Sequence, residues 1–543
     1  MAMSNPAEAV VLTSFNDPQK LADYGYNGQV VNENRPPTAA VTFDAFDSRI
    51  FPADSEERVW AETVADRIDA RSQQIHAAGL KAFYFTDIIT LPRKLVSLYA
   101  DEILDASGHI DLHRAKTQEI HRVLLDEVFE RFPGLDGLVI RTGETYLANV
   151  PYHTGNNPIT QGPASHRLLL DLLREEVCVK RDKLVFYRTW SFDGFAKDPD
   201  YYLEVTDPIA PHPNLVFSVK HTAGDFLRTY AFNPTLTLGS HPQIVEVQCQ
   251  REYEGKGAHP DYVLNGVIDG FEEYGSTTGP RGLADIADHP TFQGLWTWSR
   301  GGGWRGPYIP NEMWCELNVY VAARWAQDTR RSEKAVFQDY LEHVRVPRRH
   351  QDRFRELALL SAAAVLRGHY TRMFTLANPF WMRDQFLGGS DNQLKADFRT
   401  IVDRDGVDHA IAEKAESVDI WRRMVELADR VELPDPADEA YLKVSTRYGH
   451  LLYTVVRHGW EVMLKGVEGD RTGTYDTEAI LRHAHAFDAA LEQFRALPAL
   501  LPYCPTLVQP YGFGAKDSQG LYHASPNTGM KPAVDHCRDR AGE

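Results

Sequence analysis

The feature that most constrains this fold is a rhythm. Over residues 1–330, short apolar runs alternate with helix-like stretches eight times. The runs are AVVLTSF (9–15), YNGQVVNE (26–33), LKAFYFTDII (80–89), LDGLVIRTGE (135–144), KLVFYRTW (183–190), NLVFSVKHTAG (214–224), IVEVQCQREY (244–253) and FQGLWTWSR (292–300). Their near-continuous β-branched and aromatic content is that of parallel strands covered on both faces. Between them, residues 55–79, 111–133, 165–179 and 261–275 place apolar side chains at helical spacing, and Pro133 and Gly134 punctuate the second of these. Eight such units predict a (β/α)8 barrel over residues 1–330, with the first strand at 9–15. A doubly wound open sheet is the competitor. It would want a glycine-rich turn after its first strand, and SFNDPQKLADYG (14–25) has none.

Beyond residue 330 the period changes. Long amphipathic stretches at 332–344, 351–374, 392–431, 438–467 and 476–497 predict a mainly α-helical domain over 331–500. Residues 501–543, rich in Pro and Gly, read as an irregular C-terminal tail.

Composition narrows the partners. The formal net charge of −18 makes nucleic acid an unlikely partner. No stretch reaches 18 apolar residues, so no membrane partner is expected. Five cysteines, Cys178, Cys249, Cys315, Cys504 and Cys537, fit no zinc or disulfide framework. With no signal peptide visible, a cytoplasmic location is expected. A homodimer is allowed. No HExxH occurs, and His221 and His259 lack ligands at metal-like spacing, so no metal and no cofactor are expected. GGGWRG (301–306) lacks a phosphate-loop pattern and reads as a loop.

In a (β/α)8 barrel, chemistry collects at the C-terminal ends of the strands. Six successive runs here end in polar or aromatic residues: Thr86 and Asp87; Arg141 to Thr145; Arg188, Thr189 and Trp190; Lys220 and His221 with Asp225 beyond; Gln248 to Glu252; and Trp296, Trp298, Ser299 and Arg300, followed by Trp304 and Arg305. Any one of these could be a solvated strand end. Together they would converge on one mouth. Glu144, Asp225 and Glu252 would face one another there from strands 4, 6 and 7. Opposed carboxylates are what glycoside hydrolysis requires, one to protonate the leaving oxygen and one to activate water or attack. Trp190, Trp296, Trp298 and Trp304 could offer flat faces to a sugar, or simply pack. Tyr152, His153 and Asn157 read as pocket rim. Arg188 and Lys220 either clamp a substrate carboxylate or pair internally with Asp225 and Glu252.

Four stretches, GLDGLVIRTGET (134–145), LVFYRTW (184–190), VKHTAGDF (219–226) and VQCQREYEGKGAHP (247–260), resemble in this order the catalytic barrel of the α-glucuronidases of glycoside hydrolase family 67. NEMWCELNVYVAARWAQ (311–327) resembles that family's last barrel helix. The resemblance implies an inverting, exo-acting hydrolase that removes a terminal uronic acid from an oligosaccharide or glycoconjugate. It places the acid at Glu144, the uronate contact at Arg188, and water activation at Asp225 or Glu252, with Lys220 beside them. Three departures stand out. The family carries a separate N-terminal domain, whereas here the first strand is expected near residue 9; the loop after Glu144 differs; and His221, Thr222 and Ala223 replace the family's residues on strand 6. The rival readings are an exo-glycosidase for a neutral sugar, a non-catalytic carbohydrate-binding protein, and a uronate lyase using Tyr253 or His221 as base.

Overall fold

A computed structural model describes the chain except residues 6–12, 33–34, 192, 276–277, 302–308, 372–390, 510, 525–528 and 543. Eight parallel strands close into a barrel: β1 (Ala2–Asn5), β2 (Gly28–Val31), β3 (Lys81–Asp87), β4 (Gly137–Arg141), β5 (Leu184–Arg188), β6 (Leu215–Lys220), β7 (Gln243–Gln248) and β8 (Phe292–Gly301). Each pairs in parallel with its sequence neighbours, and β1 closes the ring against β8.

Seven of the eight expected runs cover their strand to within one residue. The first does not: β1 is Ala2–Asn5, not 9–15. Residues 9–12 lie outside the described part, and Ser14–Asn16 form a single 3₁₀ turn. A second departure is a small antiparallel pair, Thr90–Pro92 with His153–Gly155, outside the barrel.

Helices follow where periodicity put them, at Glu56–Ala77 and Ala115–Arg131. Ser55 caps the first, its side chain accepting from the Arg58 amide at 3.2 Å. After Met313–Gln327 the chain enters the helical region, which includes Glu333–His343, Arg348–His369, Val407–Ala428, Pro436–Thr472 and Thr477–Ala496. The tail expected to be irregular ends in a helix, Met530–Ala541, whose Met530, Pro532 and Val534 are buried. Among the contacts that dock the helical region on the barrel, Trp314 Nε1 donates to Ser445 Oγ at 3.0 Å, and Tyr441 Oη donates to the Gly257 carbonyl at 2.6 Å.

The two-residue period of a strand sorts the barrel interior into layers. One inner layer is apolar and buried: Met1, Val30, Phe83, Phe85, Val139, Phe186, Val216, Ile244 and Trp296. Two residues further along the same strands and faces stand Asp87, Arg141, Arg188, Ser218, Glu246 and Trp298, and two beyond these Lys220 and Gln248. The barrel is thus a filled core that becomes charged toward its C-terminal mouth.

Candidate active site

Strand β6 delivers the first acid. Past Lys220 the chain bends so sharply that Asp225 and Phe226 both take positive φ, 40° and 67°. L-residues pay for that conformation, and it persists where surroundings over-determine it. Here Thr222 Oγ1 accepts from the Phe226 amide at 3.0 Å. Asp225 itself is held from two sides: the Lys220 ammonium donates to Oδ1 and the Tyr253 hydroxyl to Oδ2. Burial pushes its pKa up, but the Lys220 charge, these hydrogen bonds and the Arg188 charge outweigh burial and hold it below the usual carboxylate value.

Strand β7 delivers the second acid. Glu252 is buried, and Gln248 grips it twice: its side-chain oxygen accepts from the Glu252 amide at 2.8 Å, and its Nε2 donates to Glu252 Oε2 at 3.3 Å. Burial first, and then the charge of Asp225, push the Glu252 pKa up to about 7, against partial relief from Lys256 and Lys220; Glu144 adds to the rise. The loop that follows turns on Gly255 at φ 99°, where a Cβ would stand 2.4 Å from His259 Nε2. Asn318, on helix Met313–Gln327, pins both ends of this loop by donating to the carbonyls of Cys249 at 3.0 Å and Asp261 at 2.9 Å.

Glu144 lies just beyond β4 and is half-buried. It hydrogen-bonds the Tyr146 side chain, and its charge reaches both Glu252 and Tyr253. The three acids expected from the sequence therefore share one electrostatic neighbourhood. Beside them Asp87 takes the Arg141 guanidinium as a fork and also the Tyr146 amide, at 2.9 Å.

The expected substrate cations are engaged internally. Arg188 forks onto Glu246, with Nε to Oε1 and Nη2 to Oε2 both at 2.8 Å. Ser218 Oγ, at 2.8 Å, and Trp298 Nε1, at 3.1 Å, complete the Glu246 shell. Arg188 also stands 5.2 Å from the Phe85 ring centre and 5.1 Å from that of Trp298. Its partner is thus neither Asp225 nor Glu252. Glu246 was not singled out from the sequence, although an acid on the inward-facing side of the otherwise apolar IVEV run was a visible signal. Lys220 pairs with Asp225, as one reading allowed, and lies 3.6 Å from the centre of the Trp190 ring.

Other expected residues distribute unevenly. Trp190 and Trp298 are half-buried at the mouth. Trp296 is fully buried, stacked near Phe85 and tilted against Trp298, so the barrel itself covers it. His153 is fully buried on the outer strand pair against Phe51 and Trp60, and burial lowers its pKa to about 4; it is core rather than rim. The strand position of Arg300 is described but its side chain is not, and Trp304 and Arg305 lie outside the described residues. A cavity of about 400 Å³ opens at the opposite, N-terminal end of the barrel, lined by Met1, Phe83, Phe186, Val216 and Ile244 among others. It holds none of these acids. Among the described residues one further cluster could suit a metal: His458, Glu461 and His483 in the helical region. His483 bonds Glu461 through Nε2 and His458 through Nδ1, at 2.5 and 3.0 Å, a hydrogen-bond chain that already accounts for the arrangement.

Fold and site together define a closed (β/α)8 barrel with a helical C-terminal region and an acidic mouth. No family model matches the chain, and no curated protein matches it. Among solved structures it is similar to a GH138 enzyme targeting pectin rhamnogalacturonan II, at 11% identity and a TM-score of 0.63, over 99% of this chain and 82% of that one. That likeness is one of fold. A chitobiase from Flavobacterium johnsoniae aligns over 92% of this chain and 77% of its own at 12% identity, with a TM-score of 0.38. No described helix is long and apolar enough to cross a membrane.

Proposed function

We propose that this protein is a glycoside hydrolase in which Glu252 is the proton donor and Asp225 the ionised partner. The observation that carries the reading is the divergence of two neighbouring carboxyl groups. Glu252 is pushed up to about 7, while Asp225 is held below the usual range. A pair of acids separated in this way supplies, at one pH, a protonated acid for the leaving oxygen and a carboxylate for attack or water activation. This moves the acid role from Glu144, where the sequence resemblance placed it, to Glu252. Glu144 becomes a third carboxylate that helps keep Glu252 protonated. The fold shared with the GH138 enzyme is consistent with this reading.

The substrate we propose is a terminal uronic acid removed in an exo mode, with inversion, from an oligosaccharide or glycoconjugate. Its support is the sequence resemblance and the two cations, Arg188 and Lys220, on the inner face of the mouth. One observation favours a neutral sugar instead: both cations already hold carboxylates of the protein. A panel of aryl glycosides with and without a C6 carboxylate decides between them. Hydrolysis confined to uronides supports the first, and preference for neutral glycosides overturns it. Proton NMR of the first-formed anomer reports inversion or retention, which a carboxyl separation of roughly 6.5–9.5 Å or about 5–5.5 Å respectively would accompany. A folded protein that hydrolyses no glycoside overturns the hydrolase reading.

A further inference from the structure

We infer that Arg251 is a positioning residue that sets the relation between Asp225 and Glu252; this rests on the hydrolase reading above. Arg251 directly precedes Glu252 and is only 1% exposed, buried although it carries a full charge. Its backbone is left-handed, with φ 59°. From there its Nη2 donates to two groups at once, the Phe226 carbonyl at 3.0 Å and Glu254 Oε1 at 2.7 Å. Phe226 is the residue after Asp225. A single guanidinium nitrogen therefore joins the strained turn that carries one acid to the strained turn that carries the other.

The knot is anchored on its far side. The Tyr370 hydroxyl donates to the same Glu254 oxygen, which ties it to the end of helix Arg348–His369. Asp261 Oδ2 lies 3.6 Å from Arg251 Nε. The amides of Glu254 and Lys256 both return to the Arg251 carbonyl at 3.1 Å, so the loop is wound around this residue. Tyr253, between Glu252 and Glu254, then reaches across to Asp225. An internal salt bridge of purely structural value would not need to reach the backbone beside one acid while sitting next to the other. Since displacements near 1 Å can cost about 10²-fold in rate, such a bracket matters. A lysine has one compact ammonium in place of the planar fork and cannot reproduce both directions.

The test compares the wild-type chain with Arg251→Lys and Glu254→Gln on whichever aryl glycoside the wild type hydrolyses. It measures kcat, KM, the pH profile, and Glu252 titration by carboxyl-labelled NMR. For Arg251→Lys we expect kcat to fall by roughly 10–100-fold, with KM within about twofold. The alkaline limb and the Glu252 midpoint should both move to lower pH, because Asp225 no longer crowds Glu252. Glu254→Gln keeps the shape of the knot and should shift the Glu252 midpoint in the same direction by less, which keeps the test decisive if Arg251→Lys does not fold. Folded variants with wild-type kcat and an unmoved Glu252 midpoint overturn the positioning role and leave the hydrolase reading standing. A wild type that folds and titrates but cleaves no glycoside overturns both.

Discussion

The barrel interior and the barrel mouth are built from the same strands, on the same inward faces, two residues apart. Phe186 and Arg188 follow one another on β5, Val216 and Ser218 on β6, Ile244 and Glu246 on β7, and Trp296 and Trp298 on β8. The deeper layer gains from removing apolar surface from water. The upper layer has to offset the desolvation of charge, and does so with forks and shared acceptors around Glu246 and Asp87. A cavity marks the apolar end and the acids mark the other, so hollow space and clustered charge lie at opposite ends of one barrel.

Four measurements would break or sharpen this contrast. The largest effect should come from Asp225→Asn, which keeps the shape and removes the charge. Activity is expected to fall on the order of 10³-fold, measured as kcat on an aryl glycoside; a loss below about tenfold would remove Asp225 from the chemistry. Next is Glu246→Gln, which leaves the buried Arg188 cation without its carboxylate. It should lose about 3–5 kcal/mol of stability in denaturant melts, whereas Arg188→Met combined with Glu246→Leu should lose less than either single change.

A third measurement uses pH. The folded-state pKa of Glu252 lies above its unfolded value, so the folded form binds the extra proton. Stability then falls as pH rises from the ordinary glutamate value of 4.5 toward about 7. Glu252→Gln removes that loss. It should stabilise the protein at pH 8 by on the order of 3 kcal/mol, change little near pH 4, and leave only residual activity on an aryl glycoside with a good leaving group, without an alkaline limb. Equal melting shifts at both pH values would contradict a raised Glu252. The smallest effect belongs to the apolar layer. Ile244→Val should cost about 0.5–1.5 kcal/mol with kcat unchanged, since it thins packing below the site without touching charge.

Much of this architecture was legible from residue patterns. Seven strands match their apolar runs to within one residue because a strand buried on both faces needs continuous apolar content. β1 escaped because AMSN has no such content; pairing with β2 and β8 makes it a strand. The three carboxylates were legible from their places after β4, β6 and β7. Their roles were not. Glu144 and Glu252 are the same residue type after equivalent strands, and burial beside Asp225 is what distinguishes Glu252. Likewise Trp296 and Trp298 look alike in LWTWSR, but one is core and the other reaches the mouth.

Local periodicity by itself determined the barrel, its helical continuation and the strand ends where acids gather, because hydrophobic spacing is written residue by residue. Tertiary structure alone decided which charges pair. Arg188 meets Glu246 across 58 residues, Tyr370 meets Glu254 across 116, and Arg251 reaches the carbonyl beside Asp225 across 25. Such partners are set by where strands close and loops turn, and a buried charge takes its pKa from those neighbours rather than from its own side chain.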